Sequence, residues 1–192
     1  MHSLTDTLKS IDNAILLFIN GMHTPFLDGA MTIVSNRLTW IPLYVLLLWL
    51  VLKKFGKNAW LVMILCLAAV ALSDQLASHL VKNFVMRYRP SHNSLLAPHL
   101  HLVGDYMGGL YGFASSHASN TFAVACFITF IMPQNKQLVT GLFFWACLVC
   151  YSRVYLGVHY PSDILGGAII GFLSAWICYK IWVPVYKRLC AA

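Results

Sequence analysis

The chain contains no glutamate, and its six aspartates face 13 lysines and arginines in 192 residues. Charged residues make up only 10%, against about 25% in soluble domains, which excludes an ordinary soluble fold. The net charge of +7 comes without a basic run interleaved with aromatics, so nucleic acid is not an expected partner. No repeat, no low-complexity segment and no G-x-S-x-G elbow is present. The N-terminus has no basic start and no small-residue cleavage site, and it carries Asp6 and Asp12; it is not expected to be a cleavable signal. The six cysteines mostly lie inside apolar runs, where they read as small core residues rather than a disulfide framework. Cys147 and Cys150 have CxxC spacing, but within such a run, so a redox or metal role is not expected.

What is present is apolar length. Hydrophobic residues make up 59% of the chain, and mean hydropathy is +0.72. These values predict an all-α, polytopic membrane helix bundle in one domain, residues 1–192. Residues 4–20 mix Leu8, Ile11, Ile15 and Phe18 with Asp12 and Asn13, and are too short to span a bilayer, which takes about 20 apolar residues. They read as an interfacial helix ended by Asn20-Gly21. Pro25 opens a second short helix to about Ser35. Five spans are expected: Thr39–Lys53, Ala59–Met86, Ser116–Met132, Leu138–Tyr155 and Pro161–Val183. Pro90 ends the second, and residues 90–115 form a connection long enough to suggest a functional role. Gly166, Gly167 and Gly171 predict close helix packing.

Alternation of five spans puts Lys53, Lys54, Lys57, Lys136, Lys187 and Arg188 on one side, which the positive-inside rule makes cytoplasmic. Lys82, Arg89, His117, Arg153, His159 and Asp163 gather near the opposite face. Ionisable groups at membrane depth cost about 2.5–3.5 kcal/mol each on insertion scales, so such a cluster calls for a role. Asp74 and His79 lie deeper and are expected to bridge helices.

Three segments carry the chemistry. Lys82 and Arg89 are seven apart, about 10.5 Å along a helix, and Pro90 disfavours helical geometry at Arg89. They could grip one anion, or snorkel as an interfacial pair. Ala114-Ser115-Ser116-His117 opens a helix, where backbone N–H groups and small hydroxyls suit an anion; a plain Ser N-cap and a packing histidine are the bland alternatives. Ser152–Asp163 holds Arg153, His159 and Asp163. Pro161 is preset for a first helical turn, so His159 precedes a helix and Asp163 lies in its first turn. That carboxylate can fix the imidazole tautomer, or simply favour the helix start. A Ser-His-Asp hydrolase built on Ser115 or Ser116 would leave three cations unexplained. A metal site at His117, His159 and Asp163 is disfavoured by the cations beside them, and His92, His99 and His101 read instead as decorating a loop at the membrane surface.

Lys82-x6-Arg89-Pro90, Ser115-x-His117 and Ser152-Arg153-x5-His159-x3-Asp163 together resemble the signature of the type 2 phosphatidic acid phosphatase and vanadium haloperoxidase superfamily, over about residues 75–175. Its middle motif usually has glycine where Ser116 stands here, which puts a Cβ beside the expected phosphate approach. The resemblance implies a membrane lipid phosphatase without metal or other cofactor. Lys82, Arg89, Ser115, Ser116 and Arg153 would bind phosphate. His159 would attack phosphorus to form a phosphohistidine, Asp163 would orient it, and His117 would protonate the leaving oxygen and then activate water. The implied partners are a lipid phosphate and the bilayer; the oligomeric state is left open. The implied location is the inner membrane, with the site facing the periplasm or cell exterior. Among family substrates, undecaprenyl diphosphate is the leading expectation, ahead of lipid A 1-phosphate, phosphatidylglycerol phosphate and phosphatidate. A lipid-phosphate carrier is the non-enzymatic alternative; vanadate-dependent halide oxidation fits a short multi-spanning chain poorly.

Overall fold

The computed structural model describes residues 4–191, and these are helical apart from loops and one isolated bridge pair, Tyr88 with Tyr111. Helix α1 (Leu4–Gly21) turns Asp12, Leu16 and Asn20, spaced four apart, toward the protein. Its other face exposes Leu8, Ile11, Ile15 and Phe18. In water this would be inside out, whereas at a headgroup boundary it is how an interfacial helix lies. Helix α2 (Pro25–Ser35) comes next, with Thr24 Oγ1 accepting the Leu27 N–H at 3.2 Å and Pro25 in the first turn.

The run Arg37–Val85 has 49 residues, about 74 Å if straight and more than twice the hydrocarbon thickness. It folds back at Gly56, whose φ of +51° suits a residue without a Cβ. This separates α3 (Ile41–Phe55) from α4 (Ala59–Gln75). A π-helical turn, Leu76–Val81, joins α4 to the short α5 (Lys82–Val85), which stops at Met86 in the left-handed region. Then come α6 (Ser116–Ile131), α7 (Lys136–Tyr155) and α8 (Pro161–Ala191). Arg37–Val85, Lys136–Tyr155 and Pro161–Ala191 are long and apolar enough to cross a membrane, and Ser116–Ile131 is a shorter apolar helix. Helix α8 runs past the expected end at Val183, through Pro184, because Trp182 and Tyr186 pack edge-on against Phe55 at 6.0 and 5.6 Å.

The core joins α3, α4, α6, α7 and α8 around Val62, Phe127 and Leu142. Helices α6 and α8 make the most extensive pairing. Gly167 and Gly171 form its seam: a Cβ at either would overlap the carbonyl oxygen of Ser115 or Ser119. The six cysteines are unpaired. Lys54 Nζ donates to the Ile131 carbonyl at 3.1 Å, so the ends of α3 and α6 meet with the end of α8 at the basic pole. The three motif segments gather at the other pole.

Candidate active site

Helix α5 ends at Val85, and residues 87–89 leave it as an extended segment that pairs with the returning loop. Arg89 N donates to the Leu110 carbonyl at 3.1 Å, and Gly112 N to that of Arg87 at 2.8 Å. Side chains two apart on extended backbone share a side, so Arg87 and Arg89 both reach the site while Tyr88 turns out to pack at a tilt against Tyr111. Arg89 therefore arrives on a strand-like segment rather than by the two-turn helical spacing. The loop 90–115 carries three short 3-10 turns rather than being structureless. It closes over Arg89 at Gly108, where φ is +68° and a Cβ would come within 2.8 Å of Nη1.

His159 is 1% exposed and lies between α7 and α8. Arg89 Nη1 donates to its Nε2 at 3.2 Å, and its Nδ1 lies 3.3 Å from Asp163 Oδ2. A guanidinium can only donate, so Nε2 must be the acceptor and Nδ1 carries the proton toward Asp163. That tautomer leaves the Nε2 lone pair pointing at the cations. Burial, then the charges of Arg89, Arg153 and Lys82, lower the His159 pKa well below the ordinary histidine value, so it is neutral at pH 7.

Arg89 also donates through Nε to Tyr111 O at 3.1 Å and through Nη1 to Val158 O at 3.2 Å. Arg153, in the last turn of α7, is 3% exposed. It bonds the Ser35 hydroxyl at the end of α2 through Nη1 and the Tyr106 hydroxyl at 3.4 Å through Nη2. Although burial opposes it, this bond and the nearby positive charges lower the Tyr106 phenol pKa. Lys82 stands just after the π-helical turn, and its ammonium makes no hydrogen bond or ion pair among the described residues. An extra residue in a helical turn rotates the next residues by about 100° relative to a regular helix, and such turns recur at functional sites.

Ser115 caps α6 and donates its N–H to the Asp163 carbonyl at 3.0 Å, while its buried hydroxyl has no partner among the described residues. Ser116 is turned elsewhere: its hydroxyl lies 2.7 Å from that of Ser78 in the π-helical turn. Next to it, Asn120 donates to Asp74 at 2.9 Å. Asp74 thus bridges α4 and α6 as expected, but His79 points outward. His117, in the first turn of α6, is half-buried and near the Ser35 backbone. It lines two cavities. One, of about 240 Å³, also touches Tyr106 and Arg153. The other, of about 530 Å³, runs among α3, α4, α6 and α7 past Trp40, Val62 and Trp145, with Arg37 at its polar end. His101 belongs to a separate latch: its Nε2 is 2.9 Å from Asp28, it stacks on His23 at 3.9 Å, and Asp28 accepts from Tyr155 at 2.7 Å. No cluster able to hold a metal occurs among the described residues.

Five further residues join the site without belonging to the motifs: Asp12, Ser35, Arg37, Arg87 and Tyr106. Only Arg87, two before Arg89, had a sequence signal, and it required knowing that the helix stops first.

A buried, neutral histidine, hydrogen-bonded by a carboxylate and ringed by cations, thus lies near a second histidine that borders an apolar chamber of the helix bundle. The PAP2 superfamily profile matches residues 59–187, and the chain belongs to that family. It is 36% identical over 188 residues to a lipid A 4'-phosphatase of Bacteroides thetaiotaomicron, covering 97% of this chain and 83% of that protein. A lipid A 4'-phosphatase of Porphyromonas gingivalis is 33% identical, covering 94% and 77%. Among solved structures, LpxE of Aquifex aeolicus superposes with a TM-score of 0.67 at 26% identity, covering 87% of this chain and 93% of that one. The chain is a membrane phosphatase of the PAP2 type.

Proposed function

We propose that the whole chain forms one domain that hydrolyses a lipid phosphate through a phosphohistidine at His159, and that the substrate is a phosphomonoester on a multi-acylated saccharolipid of the lipid A type. The observation that carries the mechanism is the Asp163–His159–Arg89 alignment, which fixes the Nε2 lone pair among cations. Lys82, Arg89 and Arg153, with the Ser115 hydroxyl and N-terminal amides of α6, hold the phosphoryl oxygens and stabilise charge as it develops. The Nε2 lone pair forms the N–P bond while the P–O bond to the lipid breaks and the leaving oxygen takes a proton from His117. Neutral His117 then removes a proton from water, whose oxygen displaces His159 and releases inorganic phosphate. Ser116, committed to Ser78, supports the α4–α6 contact rather than the phosphate. The saccharolipid reading is supported by the two relatives named as lipid A 4'-phosphatases, which align over nearly the whole chain. Undecaprenyl diphosphate is the second reading, supported by 27% identity to a putative undecaprenyl-diphosphatase, YbjG, of Escherichia coli. The lysine-rich pole supports placement in the inner membrane with the site toward the periplasm or cell exterior.

The test is phosphate release by purified protein from lipid A, undecaprenyl diphosphate, phosphatidylglycerol phosphate and phosphatidate, with EDTA present. Highest kcat/KM on lipid A, with an acid-labile phosphoprotein that His159→Ala does not form, is expected. Preference for undecaprenyl diphosphate would promote the second reading, and loss of activity in EDTA would overturn the metal-free mechanism. Labelling of a cysteine placed at position 57 from outside intact cells would reverse the orientation.

A further inference from the structure

Asp163 has two oxygens with different neighbours. Oδ2 faces His159 Nδ1 at 3.3 Å and accepts the Tyr160 N–H at 3.0 Å. Oδ1 accepts from Arg87 Nη1 at 3.1 Å. The carboxylate is fully buried. Without Arg87, Oδ1 would keep no side-chain partner among the described residues, and the group could turn about its terminal torsion, which is broad for aspartate. Arg87 is itself fixed from three sides. Nη1 donates to the Ser162 hydroxyl at 2.6 Å, Nη2 to Asp12 Oδ2 at 2.8 Å, and its guanidinium lies over the Tyr160 ring at 3.8 Å. Asp12 is held in turn by the Ser162 N–H at 2.9 Å and by the Ser162 hydroxyl. The far end of this chain of contacts lies on α1, the helix whose outer face is apolar.

We infer that Arg87 and Asp12 are positioning residues that hold the Asp163 carboxylate square to His159, so that seating of α1 at the membrane boundary is part of assembling the nucleophile. The charge arrangement agrees. Asp12, Arg87 and Asp163 together carry one negative charge, so with Lys82, Arg89 and Arg153 the cluster keeps a net positive charge for a phosphate. Arginine suits the role because its planar fork serves two carboxylates and a hydroxyl at once, which an ammonium cannot. The inference rests on His159 being the nucleophile. A mere staple for α1 would alter stability and leave the turnover of folded protein unchanged.

The experiment compares Arg87→Met, Arg87→Lys, Asp12→Asn, the double variant and His159→Ala, purified in detergent, on lipid A or, where the panel ranks it higher, undecaprenyl diphosphate. Arg87→Met should lower kcat about 10- to 100-fold, as loss of a residue that orients a first-line ligand does elsewhere, with KM changed by less than about threefold. Arg87→Lys should recover part of the loss. Asp12→Asn should show a smaller fall in kcat of the same kind. The double variant should be no worse than Arg87→Met, because both act through one carboxylate. Folded Arg87→Met with kcat within about threefold of the parent, or losses that multiply in the double variant, would overturn the relay. Should Arg87→Met fail to fold, Asp12→Asn decides: an unchanged kcat overturns the relay, and a fall in kcat at constant KM supports it. An active His159→Ala protein would instead remove the nucleophile reading on which the relay rests.

Discussion

His159 and His117 are near enough for their charges to interact, yet the protein holds them in different ways. His159 is buried, with Arg89 on one ring nitrogen and Asp163 on the other. The carboxylate behind it is tied through Arg87 to a helix 150 residues earlier. His117 is half-buried on the first turn of α6, lies near one backbone group of Ser35, and opens onto two cavities. The roles proposed for the two histidines account for the difference. A nucleophile attacks in line, and its lone pair must hold one direction. An acid must meet a leaving oxygen whose position depends on the lipid, and it can do so from a ring with room around it. On the proposed roles, precision is concentrated on the phosphorus side and latitude on the lipid side.

The largest expected effect breaks this comparison by changing the leaving group. His117→Ala should lower kcat/KM on lipid A by about 10²–10⁴-fold, the usual value of general acid catalysis. On p-nitrophenyl phosphate, whose phenolate leaves without a proton, most of that loss should vanish. His159→Ala should be inactive on both. Equal losses on the two substrates in His117→Ala, measured as kcat/KM by phosphate release, would remove the acid from His117 and with it the division of labour.

Much of the phosphorus side is legible in the chain. Charges are costly in an apolar sequence, so Lys82, Arg89, Arg153, His159 and Asp163 stand out, and Pro161 places His159 ahead of a helix. The glycine seam of Gly167 and Gly171 is legible for the same kind of reason. The contact of Ser116 with Ser78 is not legible, because nothing in Leu76–Val81 marks a π-helical turn, and that turn carries Ser78 to the Ser116 hydroxyl. Arg87 is hidden by Met86: a non-glycine residue in the left-handed region gives no local signal that the helix has become extended. Asp12 and Asn20 look like polar breaks in an amphipathic helix. Their partners, Ser162 with Arg87 and Tyr155 with His101, lie 75 to 150 residues away. Contacts of that kind depend on how helices pack, which spacing along the chain does not encode.

A smaller effect sharpens the contrast through the α6–α8 seam. Gly167→Ala would drive a Cβ into the Ser115 carbonyl and to 2.9 Å from Ala118 Cβ; Gly171→Ala does the same at Ser119, one turn deeper. Each should cost about 1–3 kcal/mol of stability by overpacking. Only Gly167→Ala also strains the Ser115 N–H bond to the Asp163 carbonyl, and misplacement by about 1 Å at a reacting centre costs on the order of 10²-fold in rate. Similar losses of Tm with a selective loss of kcat in Gly167→Ala are the expected pair of results. Equal activity in the two variants would show that the seam stabilises the bundle without holding the phosphate cradle.

The smallest effect concerns protons and can be read without substrate. His159 has a folded-state pKa well below its ordinary value, because burial and three cations oppose its charge. The unfolded chain therefore binds a proton that the folded protein refuses, and stability must fall as pH drops through about 6.5 toward the folded value. Above that range the contribution is flat. Asp28 belongs to a different window. Despite the opposing cost of burial, its hydrogen bonds with Tyr155 and His101 hold it below the usual carboxylate value, so its stabilisation is lost only under more acidic conditions. Between about pH 7 and pH 5, Tm of the detergent-solubilised protein should fall more steeply for the parent than for His159→Gln, whose amide can still donate to Asp163. The two slopes coincide only if folded His159 accepts the proton. A protonated Nε2 has no lone pair to give, so coincident slopes would contradict both the tautomer set by Arg89 and the attack it prepares.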